Sequence, residues 1–457
     1  MGWHNPFAKI FGVHEIHKDT YPLLLKFFTI NALLRMITNL TSTVYILYFF
    51  DNLGFQKAGI VIAVGFFVQS LFDFPTGVLS DKIGQKRVLL IAFCGYIISL
   101  SVLSYANSFY YFLIANVIYS LSVAQESGAM ETWFDNKYKK QVVNDTKRKN
   151  YGDFIGKASL VSDILGSLML LVGGYLVLQT SRAYMFRVQA FVMIFFTLFV
   201  YKIMEPSESF DQDEPLTFKR YAHLFKKGVS VIFSSGVMFF FIVSIVIYGM
   251  TLSIFGDFVM FPAYRGFVAN DFQANAVRFS TWIFGTIFGW IILKIIKHLE
   301  ARDAIPRISL FHDLYLFAGF ALLLYFYPIK NTYVPIAAII AILMISSTHA
   351  IRLGKGILLQ RMYLDLIPDD QRNSFYSLMP TLTSLITAPF AVLAGYIAGL
   401  YGHYVLMMVL GSIALVGSMI LFLTVPRLQL EESSEVQIEI AKAEAVVAAG
   451  IGVSMDQ

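Results

Sequence analysis

The chain has 457 residues, of which 57% are apolar and only 14% are Asp, Glu, Lys or Arg, with a formal net charge of +5 and a mean hydropathy of +0.65. Soluble domains carry about 25% charged residues, so this composition excludes a protein whose main solvent is water. The single cysteine, Cys94, excludes an intramolecular disulfide and a cysteine metal site, and the missing phosphate-loop, zincin and nucleophile-elbow strings leave no support for an ATP-driven pump or a recognised membrane hydrolase.

Residues 1–20 hold no apolar core followed by a cleavage site and do not read as a signal peptide. Apolar runs follow at 22–50, 58–80, 88–106, 109–134, 153–178, 184–203, 230–255, 275–296, 308–327, 334–360, 376–400 and 403–425. Each is close to the roughly 20 residues needed to cross about 30 Å of hydrocarbon as a helix. They are about twice the length of a barrel strand and lack its strict alternation. The expected fold is therefore all-α and integral to the membrane, with twelve transmembrane helices. Cations concentrate in the even-numbered links, as in Lys82, Lys86 and Arg87, then Lys137 to Lys149, then Lys219 to Lys227. Because Lys and Arg are retained on the cytoplasmic side, both termini are expected in the cytoplasm of a cell whose plasma (inner) membrane holds the chain. The positive charge is thus a topology signal, with no basic stripe for nucleic acid.

The longest polar interruption, 204–229, divides an N-terminal six-helix bundle (1–203) from a C-terminal one (230–427). Its second half, apolar through Leu216, Phe218, Tyr221, Leu224 and Phe225, reads as an amphipathic helix lying on membrane lipids. Residues 428–457, acidic and then rich in Ala and Val, read as a mobile cytoplasmic tail. A weak internal repeat supports two halves in parallel: polar links at 148–153 and 371–377 are each followed by a Gly-Tyr pair, Gly174-Tyr175 and Gly395-Tyr396.

After the second run stands Gly77-Val-Leu-Ser-Asp81-Lys-Ile-Gly84-Gln-Lys86-Arg87. Gly77 suits close helix packing and Gly84 a tight turn, while Asp81 can cap or pair and Lys86 and Arg87 hold the inner face. The string resembles the signature loop of the major facilitator superfamily. The resemblance implies two pseudo-symmetric six-helix bundles, a monomer, a small-molecule solute bound between the bundles, and no cofactor or enzymatic activity. It also implies that this loop, with Asp81 reaching the other bundle, stabilises the state closed toward the cytoplasm. Asp73, eight residues earlier, is read as support for the loop. The run Gln125-Glu126-Ser-Gly128-Ala-Met-Glu131 looks like a poorly characterised bacterial and archaeal branch, and the chain lacks the arginine and Gly-Pro patterns of drug exporters.

An ionisable side chain within a span costs several kcal/mol unless it meets protein, water or a partner, so each is a site hypothesis. Arg35 lies near mid-membrane on the first span, with Asn31 and Asn39 four residues to either side on the same face. His349, Arg352 and Lys355 form a cationic stripe on the tenth span. These six residues are the expected solute-binding groups, and they favour an acidic or anionic organic solute. Glu126, Glu131, Asp163 and Lys157 are the expected proton-coupling or gate residues, or else static pairs fixing helix registry. Glu126 is the favoured proton carrier, and Glu131 with Lys157 a neutralising pair. The function expected is proton-coupled alternating access driven by a proton gradient. Multidrug efflux is the alternative within transport. A non-transporting receptor or lipid scramblase of the same fold is the alternative outside it.

Overall fold

The computed structural model describes residues 10–452 except 12, 14–15, 146–148, 207–225, 227–228, 231, 234, 297, most of 327–346, 360–361 and 363–371. The amphipathic segment expected at 216–225 lies outside the described residues. Hydrocarbon offers backbone amides no hydrogen-bond partners, so long apolar runs must satisfy their own, and the regular elements described are all helical. In the N-terminal half these are α1 (Tyr21–Asn39), α2 (Ser42–Ile83), α3 (Gln85–Ser104), α4 (Phe109–Glu126), α5 (Ala129–Gln141), α6 (Lys149–Gln179) and α7 (Arg182–Ile203). The C-terminal half has α8 (Gly236–Ile254), a π-helical turn (Phe255–Met260), α9 (Phe261–Phe267), α10 (Asp271–Ile296) and α11 (Ala301–Phe326). A helical stretch at 347–359, then α12 (Arg372–Tyr401) and α13 (His403–Gly452), complete it.

Among the described residues nine helical segments are long and apolar enough to span, with mean hydropathies from 1.5 to 2.5. One of them, Lys18–Asp73, holds two passes divided at Gly54, whose φ of 70° turns the chain inside α2. The fourth pass, α4, is not among the nine, since Asn116, Ser120, Ser122 and Glu126 dilute it, and the tenth is interrupted by residues outside the described ones. The architecture is therefore the twelve-pass helical one.

Element boundaries differ from the sequence expectation at four places. The first pass breaks at Leu40 and Thr41 between α1 and α2. The fourth breaks at Gly128, whose φ of 74° a side chain would resist, so Glu126 and Glu131 sit on separate helices. The seventh begins later and continues through the π turn to Phe267, because hydropathy alone stops a span at its first carboxylate. The last helix runs past the expected span end at 425 to Gly452, through a segment rich in the strong helix formers Ala, Glu and Lys.

Apolar side chains point outward along the helices toward where lipid would lie, as Phe191, Phe195 and Leu198 do on α7 and Ile287, Trp290 and Ile291 on α10. Inward, four buried clusters form, a small one of Leu40, Val44, Val177 and Met185 and three larger ones. One contains only N-terminal residues, among them Phe27, Phe134 and Phe154. A second contains only C-terminal residues, among them Phe241, Leu358 and Leu421. The third joins the halves, packing Phe49, Phe50 and Phe112 with Phe258, Leu406 and Leu410. It collects around the odd-numbered links near residues 54, 106, 181, 269 and 402, whereas the separate clusters gather near the even-numbered ones.

Among the described residues the two bundles are thus sealed at one end only. Two helix crossings make the seal close: a Cβ on Gly59 of α2 would stand 2.9 Å from the Ala391 carbonyl oxygen of α12, and one on Gly174 of α6 would stand 2.9 Å from Asn275 Cβ of α10. Gly395 enters the first crossing, so both Gly-Tyr pairs of the internal repeat fall at contacts between bundles.

A candidate solute cavity between the bundles

Beneath the seal lies a cavity of about 310 Å³, at the lower end of the roughly 300–1,000 Å³ usual for ligand pockets. The N-terminal bundle lines it with hydroxyls and amides, including Thr38, Ser42, Gln69, Asn116, Ser120 and Gln189. These are placed by one another. The Tyr45 hydroxyl donates to Asn116 Oδ1 at 3.1 Å, Asn116 Nδ2 donates to the Val61 carbonyl at 2.8 Å, Gln189 Nε2 donates to the Ile37 carbonyl at 2.9 Å, and the Thr41 hydroxyl donates to Gln189. The last bond to Ile37 uses a carbonyl near the α1 terminus, where helical partners run out.

The C-terminal bundle contributes Asp257, Phe261 and Arg278. Arg278 is 8% exposed; its guanidinium lies 4.6 Å over the Phe261 ring and donates to Ser42 Oγ at 2.6 Å and Thr43 Oγ1 at 3.1 Å, across the boundary between bundles. Its Nε is buried without a hydrogen-bond partner. Arg278 also belongs to the wall of an adjoining cavity of about 130 Å³, lined by Trp282, His312, His349 and Arg352 among others.

Between described residues, every hydrogen bond and ion pair that crosses from one bundle to the other lies beside this cavity or at the sealed end. At that end Arg182 of α7 grips Asp271 of α10 with two bonds, Nε to Oδ2 at 2.7 Å and NH2 to Oδ1 at 2.9 Å. Arg182 also binds Asp51, and Arg265 Nε stands 3.5 Å from Asp271.

The residues singled out from the sequence divide into groups. His349 and Arg352 come together on the smaller cavity, Arg352 NH2 donating to His349 Nδ1 at 3.1 Å. Lys355 does not join them: it is 2% exposed, 3.7 Å over the Tyr248 ring and 4.0 Å from Asp313, which is itself held by His312 Nδ1 at 2.6 Å and by Ser418. A three-residue step along a helix rotates by about 300°, so the stripe drifts round and its last member meets the helices behind.

Arg35 pairs with Asp163 of α6 at 3.4 Å and is not among the residues lining the larger cavity. Asn31 is half-buried one turn before it. Asn39 is buried, accepts from Ser42 Oγ at 3.3 Å, and leaves Nδ2 without a partner. Glu126 accepts from the Tyr96 hydroxyl at 2.7 Å. Glu131 is exposed at the start of α5 and Lys157 half-buried on α6, and no ion pair joins these two described residues.

In the signature loop Gly84 makes the expected turn with φ 89°, Lys86 lies 4.9 Å over the Tyr201 ring and Arg87 is exposed. Gly77 and Asp81 lie on α2, their surroundings outside the described residues. Asp73 is half-buried with Oδ1 lacking a partner, while its neighbour Thr76 ties α2 to the Ala124 carbonyl of α4 at 2.9 Å.

Sequence reasoning missed Asp257, Arg278 and Asp313. Arg278 stands three residues into the eighth run, where a cation facing a cavity looks like one belonging to the preceding link. Asp257 fell two residues beyond the drawn end of the seventh span. Asp313 sits inside the ninth apolar run, where the rule that a charge within a span marks a site would have found it.

Two helical bundles sealed at one end around a polar, charged cavity define the architecture of a solute transporter. A family model described as Major Facilitator Superfamily matches residues 27–354, and the chain belongs to that superfamily, one of transporters rather than enzymes. Over 127 residues it is 25% identical to the uncharacterised MFS-type transporter YxaM of Bacillus subtilis (strain 168). That match spans 26% of this chain and about a third (32%) of the relative's length. Among solved structures, the nucleoside transporter NupG superposes with a TM-score of 0.69 at 14% identity, covering 88% of this chain and 98% of that one. A D-xylose-proton symporter does so with 0.64 at 14% identity, covering 88% and 97%. At such identities the likeness concerns the fold.

Proposed function

We propose that this chain is a secondary active transporter that moves a small organic solute bearing an anionic group by proton-coupled alternating access. It would sit in the plasma (inner) membrane with the sealed end outward and both termini in the cytoplasm, the segment 204–229 linking two bundles that rock about the cavity. The observation carrying the anion reading is that Arg278 and Arg352 line two cavities that share Arg278 in their walls, and no ion pair ties either to a described carboxylate. A buried guanidinium without a counter-ion is costly, and a solute carboxylate or phosphate would relieve that cost with paired charge-assisted hydrogen bonds. Hydroxyl and amide walls favour a hydrophilic solute over the amphiphiles of drug efflux.

Glu126, bonded to Tyr96 beside the Arg35–Asp163 pair, is the favoured proton carrier. Its carboxyl is neutralised by protonation before the bundles close over it, which avoids burying a charge. The test uses purified protein in sealed vesicles. An imposed pH gradient should drive accumulation of organic acids, Glu126→Gln should abolish the drive while leaving binding, and Arg352→Gln should weaken binding. Should acidic ligands raise the melting temperature of wild type and Arg352→Gln equally, the anion site is wrongly placed. Lipid flipping without solute movement would instead favour a scramblase.

A further inference from the structure

From Asp257 and Arg278 on one cavity we infer that the solute is a zwitterion, an amino-carboxylic acid whose ammonium group is received by Asp257 while an arginine holds its carboxylate. This rests on the anion reading above and narrows it to one chemical class.

Asp257 sits in the π-helical turn Phe255–Met260 of the seventh pass. Such turns insert one residue into a helix, open its hydrogen-bond ladder and re-aim a side chain, and they recur where a site needs one. Here the re-aimed side chain is a carboxylate on the wall of the 310 Å³ cavity. The ring hydroxyls of Tyr45 and Tyr119 lie within its electrostatic reach from the opposite bundle, and the Tyr45 proton is already given to Asn116. No hydrogen bond or ion pair connects Asp257 to another described residue.

Arg278, on the same wall, is likewise without a carboxylate. Its donors serve two hydroxyls of the opposite bundle, and its Nε remains unserved. One chamber therefore displays a carboxyl and a guanidinium that do not satisfy each other. A fold needing only structural neutrality would let them meet, since each is expensive alone and cheaper as a bonded pair. Held apart, they suit a ligand with the complementary charges at its two ends. An ammonium can donate up to three hydrogen bonds, to Asp257 and to neighbouring amide oxygens. The zwitterion also enters with no net charge, so its transfer into the chamber is less costly than that of an acid alone.

The experiment measures binding to the purified full-length protein with matched triplets on a common skeleton. Phenylalanine, 3-phenylpropanoate and phenethylamine form one triplet; leucine, 4-methylpentanoate and isopentylamine form another. Stabilisation against heat and calorimetric titration give the affinities. The expected result is that at least one amino acid binds at least tenfold more tightly than its desamino acid and its amine. Asp257→Asn should erase the preference over the acid yet leave acid binding in place, and Asp257→Glu should restore part of it. A monodisperse elution profile of both variants controls for folding.

Equal affinity of acid and amino acid in wild type, unaltered by Asp257→Asn, overturns the zwitterion inference and leaves the anion reading standing. Binding of amines or neutral solutes without any acid overturns the anion reading itself. Failure of every member to bind counts against both.

Discussion

Replacing Asp271 by Asn should open the sealed end of this molecule. Asp271 takes two charge-assisted bonds from Arg182, 2.7 and 2.9 Å long, and both side chains are largely shielded, 12% and 15% exposed. Hydrogen bonds to charged groups contribute about 1.5–3 kcal/mol, more than an exposed ion pair, because less water competes for them. The contact joins α7 of one bundle to α10 of the other, so its loss acts on the sealed state and not on the state in which the bundles have parted. A destabilisation of that size shifts the equilibrium toward the parted state by roughly 10- to 150-fold. The assay replaces Cys94 by Ser and Ile46, on the cavity wall, by Cys, and adds a membrane-impermeant maleimide from the side of the seal. Labelling should rise strongly in Asp271→Asn and stay low in Asp271→Glu, which keeps a carboxylate for Arg182 and Arg265. Unchanged labelling with a lowered melting temperature would refute the reasoning, since the contact would then hold the fold and not the seal.

Gly395→Leu should act on the same equilibrium through sterics: even a Cβ there would stand 2.6 Å from the Phe55 carbonyl oxygen, and overpacking of this kind costs about 1–3 kcal/mol, seen as faster labelling of the same reporter. Lys355→Met should lower the melting temperature by an amount equivalent to about 3–5 kcal/mol, because it strips a buried counter-charge from Asp313, and adding Asp313→Asn should recover much of the loss. A Lys355→Met variant of wild-type stability that fails to bind acids would return Lys355 to the solute site. Glu205→Gln removes a carboxylate bonded to Lys26 at 2.5 Å and near Lys137 at 3.3 Å, contacts exposed enough to contribute only about 0.2–1 kcal/mol each. The Lys26 hydrogen bond holds the Glu205 carboxyl below its ordinary range, so its stabilisation is full above that range and is lost as pH falls through the lowered value. The difference in melting temperature between wild type and Glu205→Gln should therefore be present at neutral pH and vanish in acid.

The architecture was legible because lipid leaves helices few alternatives: span length and the turn at Gly84 follow from solvent and backbone geometry. The site was legible only in part. His349 and Arg352 could be paired from their spacing, but Lys355 needed the packing of the seventh, ninth and twelfth passes, which no single helix encodes. Arg35 read as a solute ligand because its depth is countable, whereas its partner Asp163 becomes apparent only when α6 is laid beside α1. Asp257 was hidden by the same hydropathy rule that found the helices, since a carboxylate ends a run whether it lies in water or in a chamber.

The seal between the bundles is mostly apolar, with Phe49, Phe50 and Phe258 at its heart, while each bundle keeps a core of its own at the other end. Parting the bundles at the seal hydrates hydrocarbon without dismantling either half, so the motion carries a positive heat-capacity change of the kind that accompanies unfolding. Its equilibrium constant must then curve with temperature. Chilling weakens the apolar closure, so under the alternating access proposed above the resting orientation would shift toward the parted form as temperature falls.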